Sequence, residues 1–213
     1  MPILRGMYLF LFNAKYKENM KNMKIFMVLL VVGWLMPMAS FSQAKLENVK
    51  SNIKMQVAGT STMHDWEMKG SGGSCSANLD FDTSGKLAQI KDVTFSFPVK
   101  QLKSGKDAMD GNAYKALKTE KNPNITGRLV DATISSADNV NYKIQGTLKL
   151  QIGGVTKDVK LTADGKLNKD KSLTVKGEKK IDMNEFKVEP PSFMFGSVKT
   201  GKDVVVKFDL TLN

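Results

Sequence analysis

The sequence predicts an all-β fold: an extended antiparallel eight-stranded β-barrel carrying one short amphipathic helix. Three observations predict it. In the stretch YKIQGTLKLQI, the apolar residues Tyr142, Ile144, Leu148, Leu150 and Ile152 fall on every second position, with Gly146 keeping the phase. The residues between them are polar, so this is a strand with one buried and one wet face. It exceeds the usual strand length of about five or six residues. Second, Gly153-Gly154 permits a tight turn into another alternating run through Val155, Val159 and Leu161. Third, comparable runs separated by short turn signals recur along the chain.

In order, Ile53, Met55 and Val57 begin the first strand, and Trp66 and Met68 keep a strand going up to Gly70-Ser-Gly-Gly73. Cys75 to Phe81 supplies another, ending at Asp82-Thr-Ser-Gly85. Val93, Phe95, Phe97 and Val99 share one face of the next. Between Lys103 and Asn122 the period changes. Asp107 is placed to cap a helix, and Met109, Ala113, Ala116 and Leu117 recur at helical spacing until Asn122-Pro123 stops it. Strands resume over 124–135, 139–152, 155–163 and 172–183. The segment FKVEPPSFMFG, at 186–196, contains Pro190-Pro191 and reads as a loop crossing a barrel mouth. Gly201-Lys202 then turns the chain into a last strand through Val204, Val206, Phe208, Leu210 and Leu212.

The first part of the chain is different. Lys21 and Lys24 precede an apolar run from Ile25 to Met36, followed by Pro37, Ala39, Ser40 and Ser42. That order describes a secretory signal peptide, cleaved after Ser42 or Ala44. The run falls short of the roughly 20 residues of a membrane-spanning helix. Residues 1–44 are thus expected to be an N-terminal extension plus signal peptide, with initiation at Met20 or Met23, and 45–213 a single barrel domain. The expected location is periplasmic or secreted.

Charge and cysteine content narrow the function. The chain carries a formal net charge of +11, yet Arg128 is the one arginine after residue 44. Nucleic-acid readers cluster their charge and favour arginine, whereas lysines spaced along strands make a solvated exterior. No nucleic-acid partner is expected. The single cysteine, Cys75, has no partner for an intramolecular disulfide and reads as a small packed residue.

No catalytic or metal constellation is evident. His64 is the one histidine. If a strand runs through His64-Asp65-Trp66, then His64 and Trp66 share a face. They make either an apolar wall with a polar handle or a tryptophan plug in the core. Phe95, Phe97, Tyr142, Phe186, Phe193, Phe195 and Phe208 point to one apolar interior, joined by Ile144, Leu148 and Leu150. A barrel of about eight strands is wide enough to be filled by side chains or to hold one ligand. Small inward residues (Gly127, Gly146, Ala163, Gly177) favour the cavity.

Four segments carry a family resemblance: GTSTMHDW (59–66), ALKTEKNPNI (116–125), GTLKLQIGGVTKDVKL (146–161) and PPSFMFGSVKTGKDV (190–204). In this order they resemble the YceI-like, polyisoprenoid-binding domain family, and the HDW form resembles secreted Bacteroidetes members. The resemblance implies a lipocalin-like barrel with a helix beside it. It also implies a bound isoprenoid lipid, a quinone or polyprenyl tail, with no covalent cofactor. The expected ligand residues are then His64, Trp66, Phe95, Phe97, Tyr142, Ile144, Leu148, Leu150, Phe186, Phe193 and Phe195. The leading expectation is a non-enzymatic isoprenoid carrier. Its alternatives are a solid envelope or stress-related barrel and an enzyme using His64 with a bound quinone. A transient membrane-surface contact and a homodimer are left open.

Overall fold

The computed structural model describes residues 42–48 (as backbone), 53–193 and 196–212. The expected signal peptide lies outside the described residues, and so does Phe195. Eleven strands form one curled antiparallel sheet. They are β1 Ser42–Asn48, β2 Ile53–Ser61, β3 Trp66–Gly72, β4 Ser74–Phe81 and β5 Leu87–Pro98. After the helix α1, Asp107–Ala116, come β6 Asn124–Ser136, β7 Asn141–Ile152, β8 Val155–Leu167, β9 Leu173–Asp182, β10 Ser192–Phe193 and β11 Val198–Leu212. The two expected cleavage positions, Ser42 and Ala44, fall at the start of β1.

The strand order is β1-β4-β5-β6-β7-β8-β9-β11-β2-β3, with β10 pairing β11 from outside the path. The predicted count of eight is therefore low for the whole sheet. It does match the curved run from β5 round to β3. The ends of that run are tied by one isolated bridge, Lys69 to Lys103, in which each backbone N–H donates to the other's carbonyl at 2.8 Å. Lys103 lies just beyond β5, so this bridge closes the circuit. The additional strands β1 and β4 extend the sheet beyond β5.

Local chemistry explains the corners. Gly153 and Gly154 have φ of +55° and +87°, the left-handed values that a two-residue hairpin needs. At the β3–β4 corner the reason is space. A Cβ on Gly70 would lie 2.3 Å from the Gln101 carbonyl oxygen, and one on Gly73 would lie 2.2 Å from that of Ser96. The glycines let this corner cross the backbone of β5 and its extension.

The ladder is incomplete in one place that matters below. β8 and β9 pair only between Ala163–Leu167 and Leu173–Gly177. The first half of β8 and the second half of β9 keep their other neighbours, β7 and β11, but part from each other.

Several expectations are corrected. Asp107 does not cap α1, because Lys106 occupies the N-cap position and no side chain caps it. The polar group that fixes this end is Asp110, buried, which accepts from the Ser104 backbone N–H (2.8 Å) and hydroxyl (2.7 Å). Gly201 does not precede the last strand. It lies within β11, in a bulge between Thr200 and Val204, where a Cβ would crowd the Thr60 hydroxyl at 2.6 Å. The proline segment is loop as expected, but it opens with a 3-10 turn, Met183–Phe186, and ends in the short β10 hairpin.

The core has two apolar clusters. One gathers Ile53, Leu79, Phe97, Leu102 and Leu173 among others, and the second centres on Val99, Phe186 and Val188. Phe97 and Leu79 have no exposed surface. Burying a side chain of that size stabilises by about 1.5–3 kcal/mol.

Candidate functional site

Two adjoining apolar cavities occupy the interior, of about 290 Å³ at the helix end and about 200 Å³ within the strands. Val57, Ile125, Ile152, Ile181 and Val206 line both and form the waist between them.

The outer cavity is assembled from dissimilar pieces. Trp66 and Met68 come from β3, Met109, Ala113 and Leu117 from α1 and its end, and Phe186 from the 3-10 turn. Phe193 and Val198 add the β10 hairpin. Its polar groups are Ser61, His64, Lys106 and Thr200. The helix is held across the barrel by Tyr114, whose hydroxyl donates to the Leu102 carbonyl at 2.7 Å, with Lys103 over its ring at 5.3 Å. Asp110 steadies the preceding loop. Burial works against its charge, but the Ser104 hydrogen bonds and Lys103 at 3.5 Å more than offset it, holding the carboxyl below the usual range.

The inner cavity is built by strands alone. Phe95 of β5, Leu129 of β6, Ile144, Leu148 and Leu150 of β7, and Val159 of β8 all face it. Cys75 lines it as well, and burial pushes its thiol up to about 11, so it presents a neutral surface. Lys179 is the one charged residue in this lining.

The expected ligand residues divide accordingly. His64, Trp66, Phe186 and Phe193 border the outer cavity, and Phe95, Ile144, Leu148 and Leu150 the inner one. Phe97 and Tyr142 border neither. Phe97 is wholly packed into the wall. The buried Tyr142 turns its hydroxyl to the backbone, accepting from Leu87 N–H at 3.2 Å and donating to the Asn139 carbonyl at 3.1 Å. His64 is not on a strand with Trp66. It is exposed in the β2–β3 turn, its Nδ1 2.8 Å from the Asp65 carbonyl. The indole N–H of Trp66 donates to the Thr60 carbonyl at 3.1 Å, so the expected polar handle is spent on the turn.

The glycine argument for empty space also needs correction. Trp66 lies over Gly59, Phe95 over Gly127 and Phe208 over Gly177, each pair directly opposed across two strands. A Cβ on those glycines would meet the rings at 2.5, 2.2 and 2.5 Å. The missing side chains admit aromatic rings rather than a ligand. Gly146 faces the Asp131 carbonyl at 2.4 Å, and only Ala163 of the four borders a cavity.

Sequence reasoning missed the helical share of the lining. The spacing of Met109, Ala113, Ala116 and Leu117 was legible, but which cavity that face covers depends on how the helix docks. Among the described residues no group of three or more His, Cys, Asp and Glu side chains is placed to hold a metal ion.

Fold and cavities together define a small β-barrel whose interior is an elongated apolar chamber capped by a helix. Comparison with known proteins places it more closely. The YceI-like domain matches residues 37–212, and the chain belongs to that family. Its fold is shared by Burkholderia cenocepacia BcnA, at 19% identity and a TM-score of 0.54, covering 76% of this chain and 96% of that one. A polyisoprenoid binding domain from Saccharophagus degradans, implicated in plant cell wall breakdown, aligns at 13% identity and a TM-score of 0.58, covering 81% and 99%. A YCEI protein of Campylobacter jejuni aligns at 22% identity and a TM-score of 0.47, covering 65% and 81%. A search of curated proteins returned no match.

Proposed function

We propose that this protein binds and carries a lipid with an isoprenoid tail, polyprenyl or quinone, in the cell envelope, without catalysing its conversion. The observation that carries the reading is the pair of adjoining cavities, whose shared waist is made of Val57, Ile125, Ile152, Ile181 and Val206. Each methylene moved from water into such a lining contributes about 0.8 kcal/mol, so a long tail needs few polar contacts. The family and the name of the Saccharophagus domain support the same class of ligand. The basic run and apolar segment before residue 44 support export, and the lysine-bearing exterior suits brief contact with an anionic membrane surface.

Native mass spectrometry of protein purified from its own envelope, with organic extraction, tests this. A stoichiometric isoprenoid lipid is the expected result. An empty mass, followed by no change in Trp66 fluorescence on adding quinones and polyprenols, would leave a ligand-free structural barrel in its place.

A further inference from the structure

The gap between β8 and β9 coincides with the inner cavity's one charged residue. On β9, Leu173, Val175, Lys179 and Ile181 all line that cavity. The outward residues between them are paired across to β11: Lys176 with Asp209 at 2.9 Å, Lys180 with Asp203 at 2.9 Å, and Glu178 with Lys207 at 3.8 Å. Lys179 stands opposite Val206, on the apolar side of the same ladder. It is half-buried, and its side chain has no hydrogen-bond or ion-pair partner among the described residues. The acids of β8 are already engaged, Asp158 with Lys149 at 2.7 Å and Asp164 with Lys143, both on β7. Beyond Gly177 no β8 backbone pairs with β9 either, so this stretch of wall is open to a ligand group rather than closed by a ladder.

An ammonium beside apolar side chains is poorly solvated unless an anion meets it. Among the described residues none does. We propose that Lys179 anchors the anionic head of the bound lipid, so that the cargo is a long-tailed amphiphile ending in a phosphate monoester or a carboxylate. This rests on the lipid-binding reading and narrows it from tail to head. The tail fills the two cavities through their shared waist, while the head lies at the β8–β9 gap, where its remaining oxygens reach water.

Calorimetric titration with farnesol, farnesyl monophosphate and farnesoic acid, which share one tail, separates the cases. The wild-type protein is expected to prefer one or both anions, and the tighter one names the head. Lys179→Met should weaken the anions about tenfold, as loss of a charge-assisted hydrogen bond predicts, and leave farnesol unchanged. Lys179→Arg should restore anion binding, and Lys180→Met, on the outer face, should alter nothing. Equal affinity of the wild type for farnesol and both anions would overturn the inference while leaving the cavity reading intact. So would a Lys179→Met protein that binds all three as the wild type does, or that loses all three equally. Failure of the wild type to bind any of them would overturn the cavity reading and this inference together.

Discussion

The two cavities differ in what makes their walls. Around the inner one, the lining residues all lie on strands, whose ladders run for up to twelve residue pairs, as between β7 and β8. Around the outer one, strand residues are joined by a ten-residue helix, a 3-10 turn and a two-residue strand, held by few polar contacts. These include the Tyr114–Leu102 hydrogen bond, the Lys69–Lys103 bridge and the Ser104–Asp110 pair. The inner shape is therefore fixed by the same bonds that fix the fold, and the outer shape can alter without unfolding it. For the lipid cargo proposed above, selection of the tail then belongs inside, and control of access belongs at the helix.

Four substitutions would sharpen or break that contrast. The largest effect is expected for Phe97→Ala in the strand-built core, where the ring has no exposed surface. It should cost about 3–5 kcal/mol in urea denaturation. A cost below about 1 kcal/mol would show that the wall relaxes freely, against the rigidity argued for it.

The next concerns binding. Ala163→Phe projects into the inner cavity and Ala113→Phe into the outer one. Overpacking of this kind costs about 1–3 kcal/mol where the surroundings cannot yield. Measured over polyprenols of increasing length, Ala163→Phe should shift the preference to shorter tails. Ala113→Phe should instead slow association at every length, because the helix can move outward. Identical length profiles for the two variants would erase the distinction.

The smallest effect is a pH dependence at the helix. Asp110 has its folded pKa depressed, so its contribution is present above the unfolded carboxylate value and is lost as pH falls through the folded value. The Tm difference between wild type and Asp110→Asn should thus be full at neutral pH and shrink below about pH 4. A difference that stays constant down to pH 2 would mean that the carboxylate charge is not what steadies this loop.

Much of this architecture is legible in the residues. The alternation in Tyr142–Ile152, the Gly153-Gly154 turn and the change to helical spacing after Lys103 each appear where the structure has them. Strand β10 is not legible, because two residues carry no period. Asp107 misled because an acidic residue at a helix start suits the first turn as well as the cap, and here it takes the first turn. The inward glycines misled for a different reason. Space removed at Gly127 is returned by Phe95 from the opposite strand, and that pairing depends on register, which one strand alone does not reveal. Lys179 had a signal that went unused. In a strand, the adjacent Lys179 and Lys180 cannot both face water, so one lysine had to point inward.

The antiparallel pairing of β2 with β11 joins residues 54–61 to residues 200–209. Until the last strand has been made, the β2–β3 hairpin has no neighbour on one side and β9 has an open edge on the other. Contacts so distant in sequence form late and slowly. The chain consequently spends its synthesis with exposed strand edges, and it reaches its closed form only after nearly all of it is free. Closure of the sheet thus waits on the pairing of its most distant strands, which makes that pairing the slow step of folding.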